Sequence, residues 1–96
     1  MTINRVKKSC SSIFTKFPIR RVFLFGSLAR QTGSHSRDVD LLYEEGASLD
    51  LLQLAEAKRL LENDLKIRVD FVSSKYVYPD LKEMIDEEKI LIYERS

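Results

Sequence analysis

Two aspartates, Asp38 and Asp40, stand one residue apart in a segment that otherwise reads as a buried strand, DVDLLY. Side chains alternate faces along a strand, so both carboxylates lie on one face, roughly 7 Å apart along the chain. Unpaired, they repel each other, and burial would raise the pKa of at least one of them. Mg²⁺ relieves this repulsion, because it prefers oxygen ligands and usually takes one or two carboxylates with waters and phosphates. The spacing therefore predicts a metal site on this face.

A third acidic residue, Asp70, lies within another apolar segment, IRVDFV at 67–72, on the same face as Arg68 and Val72. If the two strands are neighbours, Asp38, Asp40 and Asp70 form a triad on the open face of the sheet. Three carboxylates can hold two metal ions, which is the arrangement that clamps the attacking and leaving oxygens of a phosphoryl displacement.

A phosphate site is predicted where the first apolar strand breaks at Gly26-Ser27. Glycine lets the backbone approach an anion closely, and a helix starting at Ser27 or Leu28 would aim its free N–H groups at a phosphate. The Ser27 hydroxyl can add a donor. Arg30, about one turn later, could face the same anion or brace the loop.

Each of these signals has a structural alternative when it is taken alone. Most Gly-Ser pairs are plain turns, Asp38 could equally cap a strand end, and Asp70 could be an ion-pair partner of Arg68 or Lys66. The conjunction of all these features in one small chain is what favours a site.

The hydrophobic pattern predicts the elements that hold these residues. Helices are expected at 3–16, over SLARQ (27–31), at 49–63 and from Pro79 or Asp80 to Glu88, and strands at 20–25, 38–43, 67–72 and 89–94. Ser48 is the candidate N-cap of the third helix, with Asp50 in its first turn. Alternating strands and helices imply an α/β layered domain, with helices packed on a sheet of about four strands. The relative direction of the first two strands stays open, because a short helix lies between them.

The predicted core follows the same periodicities. Val39, Leu41 and Tyr43 alternate with the two aspartates and are expected to face the core. Inward helix positions are predicted at Ile3, Val6, Cys10, Ile13 and Phe17 along the first helix, at Leu51, Leu54, Leu61 and Leu65 along the third, and at Leu81, Met84 and Ile85 along the last.

Composition limits the classes of function. With 96 residues the chain is expected to form a single domain, 1–96. Its 16 basic and 15 acidic side chains leave a net charge of +1, which gives no overall tilt toward nucleic acid or a membrane surface. One cysteine excludes an internal disulfide and suits the cytoplasm, and no segment reads as a secretory signal or a membrane span.

From about Val22 onward the chain resembles the minimal nucleotidyltransferases of the DNA polymerase β-like superfamily. The likeness rests on GSLAR after a strand, on DVD beginning twelve residues after Gly26, on VDFV around Asp70, and on the tail YPDLKEMIDEEKILIYE. The resemblance implies the nucleotidyltransferase fold, an α/β (α+β) domain with a mixed sheet of about four strands and helices packed on one face. It also implies Mg²⁺-dependent transfer of a nucleoside monophosphate from an NTP to an acceptor hydroxyl, with pyrophosphate leaving. On this reading Gly26, Ser27 and Arg30 bind the triphosphate. Asp38 and Asp40 hold the metals, expected to be two Mg²⁺ ions, and Asp70 completes the metal site and activates the acceptor hydroxyl.

The resemblance also implies a partner. Members of this size are typically antitoxins that adenylylate a tyrosine of an all-helical HEPN-domain ribonuclease, using ATP. Two alternatives stay open: a catalytically silent module that neutralises its partner by binding, and a small-molecule (antibiotic) nucleotidyltransferase, for which 96 residues leave little room. Neither the base preference nor homo-oligomerisation is readable from the pattern.

Two positions depart from the family pattern. Gln31 replaces the glycine common after Ala-Arg, and Arg37 replaces the serine common before Asp-x-Asp. Arg37 is expected to be solvated rather than phosphate-bound, and His35 is expected to be exposed. Neither departure removes an acidic residue of the site, so the sequence predicts an active enzyme.

Overall fold

Helices and strands alternate along the chain in the computed structural model, which describes residues 1–30, 38–46 and 48–95. The elements are α1 (Ile3–Phe14), β1 (Ile19–Phe25), α2 (Gly26–Arg30), β2 (Asp38–Glu45), α3 (Leu51–Leu65), β3 (Arg68–Ser73), α4 (Pro79–Glu88) and β4 (Ile90–Glu94). Each predicted helix and strand is present, with ends that shift by up to two residues. The predictions for Gln31, for the loop that contains His35 and for Arg37 lie outside the described residues.

The four strands form one mixed sheet in the order β3-β2-β1-β4. β1 runs antiparallel to both β2 and β4, which settles the direction that the sequence left open. β2 and β3 are parallel, and α3 makes the long crossover that parallel neighbours need. This topology confirms the predicted fold class and brings the two acid-bearing strands side by side.

One face of the sheet carries the main hydrophobic core, and we call it the covered face. Val39, Leu41 and Tyr43 of β2 are buried there, as predicted. They pack with residues of α1 and α3, among which Val6, Cys10, Ile13, Phe14, Ala57, Leu61 and Leu65 are buried. The amphipathic α1 therefore packs on the sheet, which its periodicity alone did not decide.

The opposite face carries Asp38, Asp40 and Asp70, and we call it the acid face. The expectation that helices pack on one face only is wrong, because α4 covers part of this side. Its Ile85 is fully buried against Phe23, Phe25 and Leu42. The strands alternate apolar residues onto both faces, so the apolar part of the acid face also needs a cover.

Three details of the helices correct the sequence predictions. Asp50, not Ser48, is the N-cap of α3, and it forms a reciprocal capping box with Gln53. Leu51 therefore begins the helix and is 83% exposed instead of facing inward. Met84 of α4 is also largely exposed, whereas Ile85 is inward as predicted. Within the described residues, no helix combines the length and apolar character needed to cross a membrane.

Candidate active site

The parallel pairing of β2 and β3 brings the predicted acidic residues together. Asp40 lies opposite Asp70 in the register, and Asp38 lies opposite Arg68. Neighbouring strands are about 4.8 Å apart, so the Asp40 and Asp70 carboxylates come close to each other on the acid face. Across the described part of the chain, no ion pair joins Asp70 to Arg68 or Lys66, the structural alternative for this acid.

The surroundings of Asp40 disfavour the ionised form of its carboxyl group. Burial is the largest cause of its raised pKa, and the negative charges of Asp70 and Asp38 raise the pKa further. A hydrogen bond between Asp40 and Asp70 adds to this rise, while the positive charge of Arg30 partly offsets it. A bound cation would relieve this situation, because a nearby positive charge favours the ionised form of a carboxyl group and offsets the repulsion between neighbouring carboxylates.

Gly26, the first residue of α2, makes the tight turn that follows β1 and lies against Asp40 of this acid pair. Its φ is +80°, a conformation that favours glycine. A Cβ at this position would collide with the Asp40 carboxylate. The glycine is therefore required both by the backbone angle and by the space that Asp40 occupies. Ser27, the next residue, is half-buried.

Glu88, the last residue of α4, lies beside the same turn. It accepts a hydrogen bond from the Gly26 backbone N–H at 2.9 Å and two from Arg30 Nη1, at 2.8 and 3.1 Å. The hydrogen bond with Arg30, more than that with Gly26, holds the pKa of Glu88 below its usual value. Sequence reasoning missed Glu88, because it stands in the acidic run DEE and only the fold shows which acid reaches the turn.

The acidic residues suit a metal that is shared with a substrate. Among residues 1–30, 38–46 and 48–95, no three His, Cys, Asp or Glu side chains form a group that could hold an ion unaided. The three predicted ligands nonetheless all offer carboxylate oxygens, and Mg²⁺ commonly combines one or two such ligands with waters and substrate phosphates. Asp38, Asp40 and Asp70 therefore fit Mg²⁺ in the presence of a phosphate-bearing substrate.

Comparison with known proteins gives the class of this fold and site. A family model described as polymerase beta nucleotidyltransferase matches residues 8–96. The chain therefore belongs to the polymerase β nucleotidyltransferase family, and the predicted enzyme class is confirmed. A solved structure with the provisional name of minimal nucleotidyltransferase is 32% identical with a TM-score of 0.79, over 94% of this chain and 95% of the other, so the chain belongs among these small members.

Two further similarities concern the reactions of other proteins. A Methanocaldococcus jannaschii protein with the provisional name of protein adenylyltransferase is 34% identical over 94% of this chain and 97% of its own length. A chain in the structure of a tri-AMPylated Shewanella oneidensis HEPN toxin with its MNT antitoxin has a TM-score of 0.72 at 16% identity. That match covers 98% of this chain and 74% of the other, and at this identity it shows the fold alone.

Proposed function

We propose that this enzyme transfers AMP from ATP to a hydroxyl of a partner protein, and that the acceptor is a tyrosine of a HEPN toxin. The observation that carries the proposal is the Asp40–Asp70 pair, which lies against the Gly26 turn on the acid face. The naming of a relative as a protein adenylyltransferase supports ATP as the substrate and a protein as the acceptor.

The proposed roles follow the positions of the side chains. Gly26, Ser27 and Arg30 bind the triphosphate, and the guanidinium of Arg30 lies near enough to Asp40 to affect its pKa. Asp38, Asp40 and Asp70 hold Mg²⁺, two ions in our proposal, which when bound neutralise phosphate charge and orient the reacting oxygens.

The transfer itself exchanges one bond for another. The acceptor oxygen attacks the α-phosphorus and forms a new P–O bond, while the bond from that phosphorus to the oxygen bridging to the β-phosphate breaks. Pyrophosphate leaves with the electron pair of the broken bond. The Asp70 carboxylate accepts the proton of the attacking hydroxyl, and the closeness of Asp70 to Asp40 sets that base beside the metal ligands.

The choice of a HEPN toxin as partner is supported by fold similarity to a chain of an antitoxin complex whose toxin carries AMP groups. An antitoxin that acts on a ribonuclease would work in the cytoplasm, where its substrate ATP is available. On this proposal the acceptor hydroxyl approaches the part of the acid face that carries the three aspartates, because α4 packs on the apolar part formed by Phe23, Phe25 and Leu42.

The test is incubation with Mg-ATP and the helical product of the neighbouring gene, followed by intact-mass measurement of both proteins. We expect AMP additions on the partner, mapped to tyrosine by peptide sequencing, and no additions with Asp40→Asn. An unmodified partner in the presence of active-site-intact enzyme would overturn the proposal. If Asp40→Asn still neutralised the toxin fully, inhibition by binding alone would replace it.

A further inference from the structure

We propose that Glu88 is a positioning residue for the nucleotide, acting through Arg30 and the Gly26 turn. This inference rests on the proposed function of the site and assigns a role to a residue that lies far along the chain from GSLAR. It concerns how the triphosphate-binding groups are held, not a direct contact with the reacting atoms.

The contacts tie the end of α4 to both ends of α2. One carboxylate accepts the N–H of Gly26, the first residue of α2, and the guanidinium of Arg30, its last residue. The Glu88 side chain is only 15% exposed, whereas the Arg30 side chain is 45% exposed. Glu88 is therefore the anchored partner of the pair, and it restrains the more exposed arginine.

The geometry leaves Arg30 able to bind an anion while Glu88 holds it. Both hydrogen bonds to Glu88 use Nη1, and a guanidinium has further donors at Nη2 and Nε in a rigid plane. Holding one nitrogen of that plane restricts the directions available to the others, so less rotational freedom is lost when a phosphate binds. A flexible arginine would lose that freedom on binding.

The bond to the Gly26 N–H serves a second purpose. Gly26 has a positive φ and its Cα borders the Asp40 carboxylate. By holding this turn, Glu88 also keeps the spacing between the turn and the acid pair. Its loss would loosen the triphosphate donors relative to the carboxylates that are proposed to hold the metal.

If Glu88 competed with the nucleotide for Arg30, its removal would change nucleotide binding in the opposite direction. Because Glu88 is itself an anion beside Arg30, it could act as a competitor that the triphosphate must displace. In that case its removal would tighten nucleotide binding. A positioning role requires that removal weakens binding, so the sign of the change distinguishes the two.

The experiment compares Glu88→Ala, Glu88→Gln and the control Glu87→Ala, an exposed acid one position earlier on α4. Initial rates of AMP transfer at varied Mg-ATP give KM and kcat separately. We expect Glu88→Ala to raise the KM for ATP about tenfold, the size expected from losing charge-assisted hydrogen bonds, with a smaller change in kcat. Glu88→Gln should recover part of the loss because its carbonyl oxygen still accepts a hydrogen bond, and Glu87→Ala should match the wild type.

A double-mutant cycle with Arg30→Ala tests the route of the effect. If Glu88 acts through Arg30, Glu88→Ala should add much less to KM in the Arg30→Ala background than in the wild type. Thermal melting checks that each variant is folded. If Glu88→Ala does not fold, Glu88→Gln takes its place in the comparison. An unchanged or lowered KM in folded Glu88→Ala overturns the inference, and so does a lowered KM in Glu88→Gln.

The proposed function can fail separately. If the wild type transfers no AMP, titration calorimetry with Mg-ATP replaces kinetics, and the same tenfold weakening in Glu88→Ala would support the positioning role. Equal ATP affinity in wild type and variant, or no ATP binding by either, would overturn it.

Discussion

The two faces of the sheet are built by the same strands but have different roles, one in stability and the other in the proposed chemistry. Along β2, Val39 and Leu41 have no exposed surface on the covered face, while Asp38 and Asp40 are half-buried on the acid face. The strand alternation thus assigns stability and chemistry to neighbouring residues. Substitutions on one face should therefore change one property with little effect on the other.

Burial also has different consequences on the two sides. On the covered face, burial raises the pKa of the Cys10 thiol to about 12, so the group stays neutral and unreactive in the core. On the acid face, burial and two neighbouring carboxylates raise the pKa of Asp40, so its charge is held in an unfavourable environment. The first arrangement is stable as it stands, whereas the second favours a cation.

The largest expected effect is the loss of transfer in Asp40→Asn. Removing one metal-binding carboxylate should lower kcat/KM for AMP transfer roughly a thousandfold or more, since metal stabilisation is worth several kcal/mol. The amide can still donate to Asp70 and no longer repels it, so Tm should stay the same or rise. A variant that kept full activity would contradict the site, and one that unfolded would contradict the separation of the two faces.

The converse change on the covered face is Leu41→Ala. Leu41 is fully buried beside Asp40 in the chain, and truncating a buried leucine costs about 2–5 kcal/mol. Urea denaturation should show this loss. The folded variant should keep its KM for ATP and its kcat once activity is normalised to the folded fraction, and a specific loss of kcat would break the comparison between the faces.

Strand alternation is the part of this fold that was readable from the sequence. The apolar pattern of DVDLLY and IRVDFV predicted which residues of β2 face the core, and GSLAR with DVD predicted a site on the opposite face. The pattern left the pairing of Asp40 with Asp70 conditional on neighbouring strands, because the order and register of strands depend on how α3 packs across the sheet. Only the family resemblance implied that Asp70 belongs to the same site. Glu88 was invisible for the same reason, since its role depends on where α4 ends.

The N-cap of α3 shows a signal that was present but misread. Ser48 and Asp50 are both good N-cap residues. The glutamine three residues after Asp50 completes a capping box, and the structure contains both reciprocal bonds, Gln53 N–H to Asp50 Oδ1 at 2.8 Å and Asp50 N–H to Gln53 Oε1 at 3.0 Å. Reading that spacing would have begun the helix at Leu51 and predicted an exposed side chain there.

Alanine substitutions at two glycines, one beside the acid pair and one remote from it, should have smaller effects and also separate stability from nucleotide binding. Gly26→Ala places a methyl group against the Asp40 carboxylate at a positive φ, whereas Gly46→Ala, at the far end of β2, meets the Pro18 carbonyl oxygen. We expect each to lower the free energy of unfolding by roughly 1–3 kcal/mol. Only Gly26→Ala should also raise the KM for ATP, measured by initial rates. Equal kinetic effects would mean that the Gly26 turn has no special link to the acid pair.

The smallest predicted effect lies at the contact between α1 and α3, which support the covered face. The buried Ser9 hydroxyl donates to Asp64 Oδ2 at 2.5 Å, and Arg5 pairs with the same carboxylate. Ser9→Ala should lower the free energy of unfolding by about 1 kcal/mol at pH 7, measured by urea denaturation, with AMP transfer unchanged.

The same contact should depend on pH. Hydrogen bonds from Arg5, and to a smaller extent from Ser9, lower the pKa of Asp64. Their stabilisation is therefore complete above the ordinary aspartate pKa of about 3.9 and is lost as pH falls below it. The difference in the free energy of unfolding between wild type and Ser9→Ala should therefore be constant from pH 7 to about 5 and shrink on further acidification. If that difference grew in acid instead, the Ser9 hydroxyl would stabilise the fold through another group.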